Sequence, residues 1–161
     1  MHIFPSPVGV LTLTATEEGL TGLYLREPTA AEHALAENAA LFAHTEKWLE
    51  RYFRGERPSP AELTLAPQGS EFRMLVWKLL LEIPYGETRT YGEIAREAAR
   101  LTGKECMSAQ AIGGAVGHNP ISIIIPCHRV IAAGNKLGGF GWGAEAKKWL
   151  LRHEGGYYDH Q

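Results

Sequence analysis

Apolar and polar residues alternate near the start of the chain, a pattern typical of half-buried strands. The alternation runs through VGVLTLTATEEGLTGLYL at residues 8–25 and is interrupted at Glu18-Gly19. Two alternating runs around a turn predict a β-hairpin. From Thr29 to Arg54 the apolar residues follow a helical period in a segment rich in Ala, Leu and Glu, which predicts one continuous helix.

Proline and glycine residues then interrupt the alternating pattern and the helical pattern. The stretch RPSPAELTLAPQGS at residues 57–70 holds three prolines and a glycine, so it is the best candidate for a linker. We therefore expect two domains, residues 1–66 and residues 67–161.

Beyond this stretch the pattern is helical, and each predicted helix has a cap residue. Ser70 can cap a helix in EFRMLVWKLLLEI, whose apolar residues form one stripe. Thr90 and Glu93 have the spacing of a capping box, which opens a second helix through about Arg100. Ser108 can cap a third helix in AQAIGGAVG. The second and third helices around a short connection predict a helix-turn-helix.

The last part of the chain combines a strand, a loop and a helix. The apolar run ISIIIP at residues 121–126 predicts a buried strand. A glycine-rich loop follows at residues 132–143, and AEAKKWLLRHE at residues 144–154 predicts a closing amphipathic helix. The expected fold class is α+β.

Gly113 and Gly114 stand in the middle of the third predicted helix, where each glycine costs about 1 kcal/mol relative to alanine. The pattern leaves two explanations open. Glycines permit close packing against a neighbouring helix, and they equally permit a helix face to press against something large, such as a DNA groove.

Composition and charge narrow the possible classes. The 161 residues are 45% hydrophobic, enough for a buried core, and no apolar run approaches the roughly 20 residues that span a bilayer. The N-terminus lacks the features of a secretion signal, and two cysteines are too few for a disulfide framework, so we expect a cytoplasmic protein with reduced thiols. The net charge is −2, but residues 69–161 hold eleven Lys or Arg against nine acidic residues, which permits nucleic-acid binding.

Cys127 and His128 are the first candidates for chemistry. A lone cysteine is more often a small buried hydrophobe, but Pro126 interrupts the strand before it, and His128 and Arg129 bring positive charge that favours thiolate. Successive side chains of a strand point to opposite faces, so the two cannot form a direct dyad unless the chain turns or something bridges them. Cys106 has no comparable setting. A metal site is disfavoured, because adjacent ligands chelate poorly.

These residues carry a resemblance to a known family. The segment IPCHRV, with GGAVGHNP upstream and KKWLLRHEG downstream, resembles the active-site region of the O6-alkylguanine-DNA alkyltransferases, or methylated-DNA–protein-cysteine methyltransferases. The similarity continues upstream through SEFRMLVWKLLLEIPYGETRTYGEIA and covers about residues 69–156. A weaker likeness occurs at WLERYFRGERP.

The resemblance implies a small N-terminal sheet-and-helix domain and a C-terminal winged helix-turn-helix domain. The second helix of that motif would enter the minor groove of double-stranded DNA, and O6-alkylguanine would flip into a pocket, because a thiol cannot reach the alkyl carbon inside the duplex. The residues that would approach the DNA are Ser108, Ala109, Gln110, Gly113 and Gly114.

The resemblance also assigns catalytic roles. Cys127 would be the alkyl acceptor, each molecule acting once on guanine O6, with O4 of thymine as a further candidate. His128 would deprotonate the thiol through a water, while Glu154 would hold the imidazole in the required tautomer. Asn119 would brace the turn, and Tyr91 would donate a hydrogen bond or proton to the base.

Each role has a structural alternative. His128 would otherwise be a packed polar residue, Glu154 a surface acid near a helix end, and Tyr91 a residue that packs the first helical turn. Asn119 before a proline would brace a turn in any protein. Arg129 is interpreted as a structural ion-pair partner.

One departure from the family pattern concerns DNA contact. Gln110 stands where the family often has an arginine that fills the gap left by the flipped base. Glutamine brings no charge, so DNA binding is expected to be weaker and less salt-sensitive than in a Gln110→Arg variant.

The other departure concerns the pocket, which is expected to comprise Tyr91, Val130, Phe140, Gly141 and Trp142. Some members have Tyr-Ser-Gly-Gly where this chain has Phe-Gly-Trp-Gly at 140–143. Phe140 keeps an aromatic wall without a hydroxyl, and Gly141 offers only its backbone N–H. Because Trp142 narrows the entrance, methyl adducts should be preferred over benzyl adducts.

No cofactor, no metal and no partner other than DNA are expected, and the protein should be a monomer. Some family members bind zinc in the N-terminal domain, but residues 1–68 contain no cysteine and only three histidines, His2, His33 and His44. Two other functions compete. A cysteine hydrolase would need an oxyanion hole, and a non-catalytic sensor of alkylated DNA would not need the cysteine.

Overall fold

The computed structural model describes residues 1–33 and 38–155. The chain divides into two compact units, one of residues 1–68 with 120–122, the other of residues 69–119 and the chain from residue 123 onward. A three-stranded sheet in the first unit and a predominantly helical second unit confirm the expected mixed α and β class. Among the described residues, no helix is long and apolar enough to cross a bilayer.

The first unit is built on an antiparallel sheet. Strands β1 (His2–Ser6), β2 (Gly9–Thr16) and β3 (Gly19–Leu25) pair in that order, so the predicted hairpin is confirmed as β2 and β3. The sequence pattern did not indicate β1, a short edge strand in which Pro5 is tolerated because an edge leaves one side unpaired.

The continuous helix predicted from Thr29 to Arg54 is wrong. Helices α1 (Ala30–His33) and α2 (Ala39–Phe53) are separate, because Asn38 is non-helical (φ −117°, ψ 78°) and its side chain accepts a hydrogen bond from the Leu41 N–H. A cap of this kind satisfies a backbone donor at a helix start. Residues 34–37 of the predicted helix lie outside the described residues.

Much of the predicted linker, residues 57–70, is built into the first unit. A capping box closes a 3₁₀ turn at Pro60–Glu62. The chain then pairs with β3, since the Leu20 N–H donates to the Thr64 carbonyl (2.9 Å) and the Ala66 N–H donates to the Leu20 carbonyl (2.8 Å). Pro60 therefore begins a capped turn, and the segment is not an unstructured connection.

Residues 120–122 return to the first unit, although they lie within the expected C-terminal domain. The Leu23 N–H of β3 donates to the Pro120 carbonyl at 2.8 Å, and Leu23 forms a parallel bridge with Ile121. Both Leu23 and Ile121 are fully buried.

The strand predicted at residues 121–126 is wrong beyond this single bridge. The chain turns at residues 122–124, where Ile123 has a φ of +72°. A positive φ in a β-branched residue costs about 1–3 kcal/mol and persists only where the surroundings fix it. Ile123, Ile124 and Ile125 are all buried, so the apolar run reflects a buried turn.

In the second unit the predicted caps are confirmed. Helices α3 (Glu71–Leu81), α4 (Tyr91–Thr102) and α5 (Ala109–Gly117) follow their cap residues directly. The side-chain oxygens of these caps accept hydrogen bonds from the backbone N–H three residues later, at 3.2, 3.1 and 3.0 Å. The three helices contact one another and form the helix-turn-helix with its supporting helix.

Two short strands and a last helix complete this unit. Strand β4 (Arg89–Thr90) immediately precedes α4 and pairs in parallel with β5 (Val130–Ile131). Helix α6 (Ala144–Glu154) ends at Gly155, whose φ of +77° favours glycine.

Candidate active site

Cys127 lies at the start of a 3₁₀ turn, Cys127–Arg129, between the buried turn of isoleucines and β5. Its exposed fraction is 4%. The Ile125 carbonyl accepts two hydrogen bonds, from the Cys127 N–H at 2.8 Å and from Asn119 Nδ2 at 2.7 Å. Asn119 therefore fixes the backbone two residues before the thiol.

The 3₁₀ turn separates the side chains of Cys127 and His128. Such a turn has three residues per turn, so successive side chains point about 120° apart. The imidazole of His128 is fully buried, and its Nε2 lies 2.6 Å from Oε2 of Glu154 on α6. The chain thus turns at the cysteine rather than continuing as a strand.

Glu154 is shared between His128 and Arg129. Arg129 Nε donates to Glu154 Oε1 at 2.7 Å, and Nη1 donates to the Ile83 carbonyl at 2.7 Å. The guanidinium also lies over the ring of Tyr85, 5.6 Å from its centre. Buried charges are stable only when paired and hydrogen-bonded, and this network provides both.

The electrostatics of this network favour a neutral imidazole beside an ionised carboxylate. Burial lowers the pKa of His128 below its ordinary value, although Glu154 opposes this effect. Burial alone would raise the pKa of Glu154, but hydrogen bonds and charge from His128 and Arg129 hold it well below its usual range. Because the carboxylate can only accept, Nε2 of the neutral ring carries the hydrogen.

His128 Nδ1 is therefore a lone-pair acceptor. It is buried and has no hydrogen-bond partner among the residues that the structure describes. An unpaired buried acceptor costs about 1–3 kcal/mol, which makes this atom a functional candidate.

Lys147 is a residue that the sequence analysis missed. It is fully buried on α6, and its Nζ donates to the Val130 carbonyl at 2.7 Å and the Gly139 carbonyl at 3.0 Å. Burial lowers the pKa of Lys147 to about 8, while a charged Cys127 would raise it. By reciprocity the ammonium stabilises a thiolate at Cys127.

A periodic signal could have identified Lys147. Lys147, Leu150, Leu151 and Glu154 follow one helical stripe, and all four are buried. A lysine on the apolar stripe of an amphipathic helix indicates a buried cation with a specific partner.

Tyr91, the first residue of α4, lies against the loop after β5. Its hydroxyl donates to the Gly139 carbonyl at 3.4 Å, and its ring is 6.0 Å from Lys147 Nζ. A Cβ at Gly138 would approach the Tyr91 ring to 3.1 Å, so a side chain there would require the ring to shift by a few tenths of an ångström. Burial, and then the charge of Cys127, raise the pKa of Tyr91.

The remaining predicted pocket residues have different surroundings. Val130 in β5 is fully buried. Phe140 and Trp142 are half-buried and pack against each other, with ring centres 5.9 Å apart, while Gly141 between them is exposed.

The predicted DNA-contacting residues lie on α5 and its cap. Ser108, Ala109, Gln110 and Gly114 are exposed, and Gly113 is half-buried. A Cβ placed at Gly113 or Gly114 would meet nothing within 4 Å. Close packing against a neighbouring helix therefore does not explain the two glycines, and an open face on α5 remains.

Comparison with family models matches both parts of the chain. Residues 1–75 match the model described as "6-O-methylguanine DNA methyltransferase, ribonuclease-like domain". Residues 71–156 match the "6-O-methylguanine DNA methyltransferase, DNA binding domain".

Individual proteins are similar over nearly the full length. A Methanosarcina acetivorans protein named methylated-DNA–protein-cysteine methyltransferase is 43% identical over 156 residues, covering 95% of this chain and 96% of its own. A Haemophilus influenzae protein of the same name is 40% identical, covering 94% and 83%. The crystal structure of Mycobacterium tuberculosis OGT in complex with DNA superimposes with a TM-score of 0.81 at 43% identity, covering 94% of this chain and 90% of that one.

Proposed function

This chain belongs to the 6-O-methylguanine DNA methyltransferase family, and on that basis we propose that Cys127 accepts the alkyl group in the reaction that the protein performs. That reaction is direct DNA repair, in which a methyl group passes from methylated DNA to a cysteine of the protein. Cys127 rather than Cys106 is the acceptor because it lies in the buried network of His128, Glu154 and Lys147, whereas Cys106 is exposed.

The bond changes follow from a single displacement at carbon. The thiolate sulfur of Cys127 attacks the alkyl carbon, the S–C bond forms, and the C–O6 bond breaks with its electron pair leaving on guanine. The thiol proton passes through a water to Nδ1 of His128, and Glu154 stabilises the resulting imidazolium. Because a thioether does not release its alkyl group, each molecule acts once.

The unpartnered Nδ1 of His128 is the observation that carries the proposal. A general base must present a lone pair, and the hydrogen bond between Nε2–H and Glu154 leaves the lone pair on Nδ1. A bridging water also solves the geometric problem of two adjacent residues whose side chains diverge on a 3₁₀ turn.

Lys147 and Tyr91 assist at opposite stages of the reaction. The Lys147 ammonium stabilises the thiolate before attack. The hydroxyl of Tyr91, whose pKa is raised by burial and by the charge of Cys127, stays protonated and can donate to the guanine as negative charge develops on it. Asn119 keeps the backbone before the thiol in place through the Ile125 carbonyl.

Double-stranded DNA reaches this site through α5. The open face at Gly113 and Gly114 supports entry of the helix into a groove, and the solved DNA complex of the Mycobacterium tuberculosis relative supports DNA as the partner. The alkylated guanine flips out of the stack to reach the thiol. The reaction requires a reduced thiol, which is consistent with a cytoplasmic location.

Intact mass measurement after incubation with an O6-methylguanine duplex tests the proposal. The wild type and Cys106→Ser should each gain one methylene, mapped to the peptide containing Cys127, and Cys127→Ser should gain none. Retained binding of the lesion by the wild type without any adduct would instead indicate a sensor. Repeated turnover of a small ester or amide would indicate a hydrolase.

A further inference from the structure

Helix α5 carries no charged residue, although it is the helix proposed to enter DNA. Its cap Ser108 and its second residue Gln110 are neutral as well. The electrostatic part of DNA binding comes from Lys and Arg side chains that neutralise phosphates and release counterions. The cations for this contribution must come from residues outside α5.

A basic concavity lies beside the start of α5. This α4–α5 cleft has a volume of about 490 Å³, and Ala109, the first residue of α5, is part of its lining. Its charged lining residues are Arg96, Arg100, Lys104 and Glu105, so three cations face one acid.

In the part of the chain that the structure describes, two of the three cations have no acidic partner. Arg100 is engaged by Glu97 through two hydrogen bonds. Within residues 1–33 and 38–155, neither Arg96 nor Lys104 has an ion pair or a side-chain hydrogen bond, and both are exposed. Arg96 and Arg100 are one helical turn apart and therefore share a face of α4.

The α4 side of the cleft is lined by small residues as well as by the cations. Gly92, Ala95 and Ala99 line it along α4, and none has a side chain larger than a methyl group. The α4 side therefore leaves room for a polymer backbone, and the bulkier Met107 also lines the cleft.

We propose that the α4–α5 cleft holds the sugar–phosphate backbone of the DNA strand beside the groove that α5 enters, with Arg96 and Lys104 as phosphate contacts. In helix-turn-helix proteins the first helix crosses the backbone while the second lies in the groove, which gives α4 this position. The inference rests on the proposed function, because it takes DNA as the partner of α5. The cleft supplies the charge that Gln110 lacks.

The salt dependence of binding tests the cleft. Binding to a duplex with one O6-methylguanine is measured at several salt concentrations for the wild type and for Arg96→Gln/Lys104→Gln. Each lost phosphate contact should make the slope of log K against log salt less negative by about 0.9, or about 2 for the double variant. Arg96→Lys/Lys104→Arg, which retains both charges, should keep the wild-type slope.

Lys47→Gln/Lys78→Gln is the matched control, since it removes two exposed lysines outside the cleft and gives the same net charge. Thermal unfolding of Arg96→Gln/Lys104→Gln should show that this variant is folded. If the salt slopes of Arg96→Gln/Lys104→Gln and of the control are equal while the wild type transfers methyl, the proposed role of the α4–α5 cleft is wrong and the proposed function is unaffected. A wild type that neither binds nor transfers would overturn both.

Discussion

The burial of Lys147 destabilises the folded protein but should favour the reaction. Burying an ammonium is unfavourable, and the two carbonyls that accept from Lys147 only partly offset the lost hydration. The same burial strengthens its attraction to a thiolate at Cys127. A cation held at this cost in a closed site is typical of a functional residue.

The stability cost of Lys147 should depend on pH. Its folded-state pKa of about 8 lies below its ordinary value of 10.5, so between these values the unfolded chain binds more protons than the folded one. The contribution of Lys147 to wild-type stability should therefore rise with pH across this window. Lys147→Met should be more stable than the wild type, with the largest difference below pH 8 and a smaller one toward pH 10.5. Urea unfolding of both proteins across this range measures the effect, with Lys78→Met as the exposed control. A difference that does not change with pH would contradict it.

Lys147→Met should also slow the reaction. At pH 7 methyl transfer is expected to fall by about tenfold, equivalent to about 1.4 kcal/mol of lost thiolate stabilisation. The wild-type rate should decline above about pH 8, where Lys147 loses its proton. This decline should be absent from the variant. Single-turnover rates against pH report both effects, and identical profiles for the two proteins would remove Lys147 from the reaction.

Trp142 sets a further expectation at the scale of single residues. Its ring packs against Phe140 in the loop before α6 and should narrow the pocket. The wild type should therefore react at least about tenfold faster with O6-methylguanine than with O6-benzylguanine in the same duplex, within the range that pocket contacts provide. Trp142→Gly should bring the two rates closer together. Comparable wild-type rates for both lesions would refute the preference.

Among the elements, those that begin with a local signal were predictable from the sequence. The caps at Ser70, Thr90 and Ser108 each use a side chain and a backbone donor three residues apart, so a short stretch of sequence contains the whole interaction. The turn at Ile123 depends instead on burial around it, and an apolar run does not distinguish a buried turn from a buried strand.

The residues of the candidate site also divide into those with a local sequence signal and those that depend on the surrounding fold. Cys127 and His128 were found because they are adjacent, and Glu154 and Tyr91 followed only from the resemblance. Lys147 was overlooked because its partners are backbone carbonyls of β5 and the following loop, which no side-chain motif reveals. The roles of these residues stay predictions until the variants are measured.

The two glycines of α5 allow packing and DNA binding to be separated. Because added methyl groups would meet nothing within 4 Å, Gly113→Ala/Gly114→Ala should raise the free energy of unfolding by about 1–2 kcal/mol. The same methyl groups should lower DNA affinity by about tenfold or more if this face enters the groove. Denaturant unfolding and DNA titration of one protein sample test both. Raised stability with unchanged affinity would exclude the groove explanation.

At the scale of the whole molecule, the two units are not two consecutive segments of the chain. Residues 120–122 supply a parallel bridge and a carbonyl acceptor to β3 of the first unit, and the chain then continues into the turn that leads to Cys127. The first unit is therefore incomplete when the chain is cut after residue 68.

This arrangement makes the protein a natural case for fragment complementation. Peptides 1–68 and 69–161, produced as separate chains, should copurify and regain methyl transfer, because the second brings the missing Ile121 to the sheet of the first. Ile121→Ala in the second peptide should weaken that association by about 2–5 kcal/mol, the usual cost of truncating a buried isoleucine. Two peptides that do not associate would contradict this expectation, as would an Ile121→Ala peptide that associates as tightly as the wild-type peptide. A protease that nicks the chain between the units would then leave a repair protein in two pieces that still works as one.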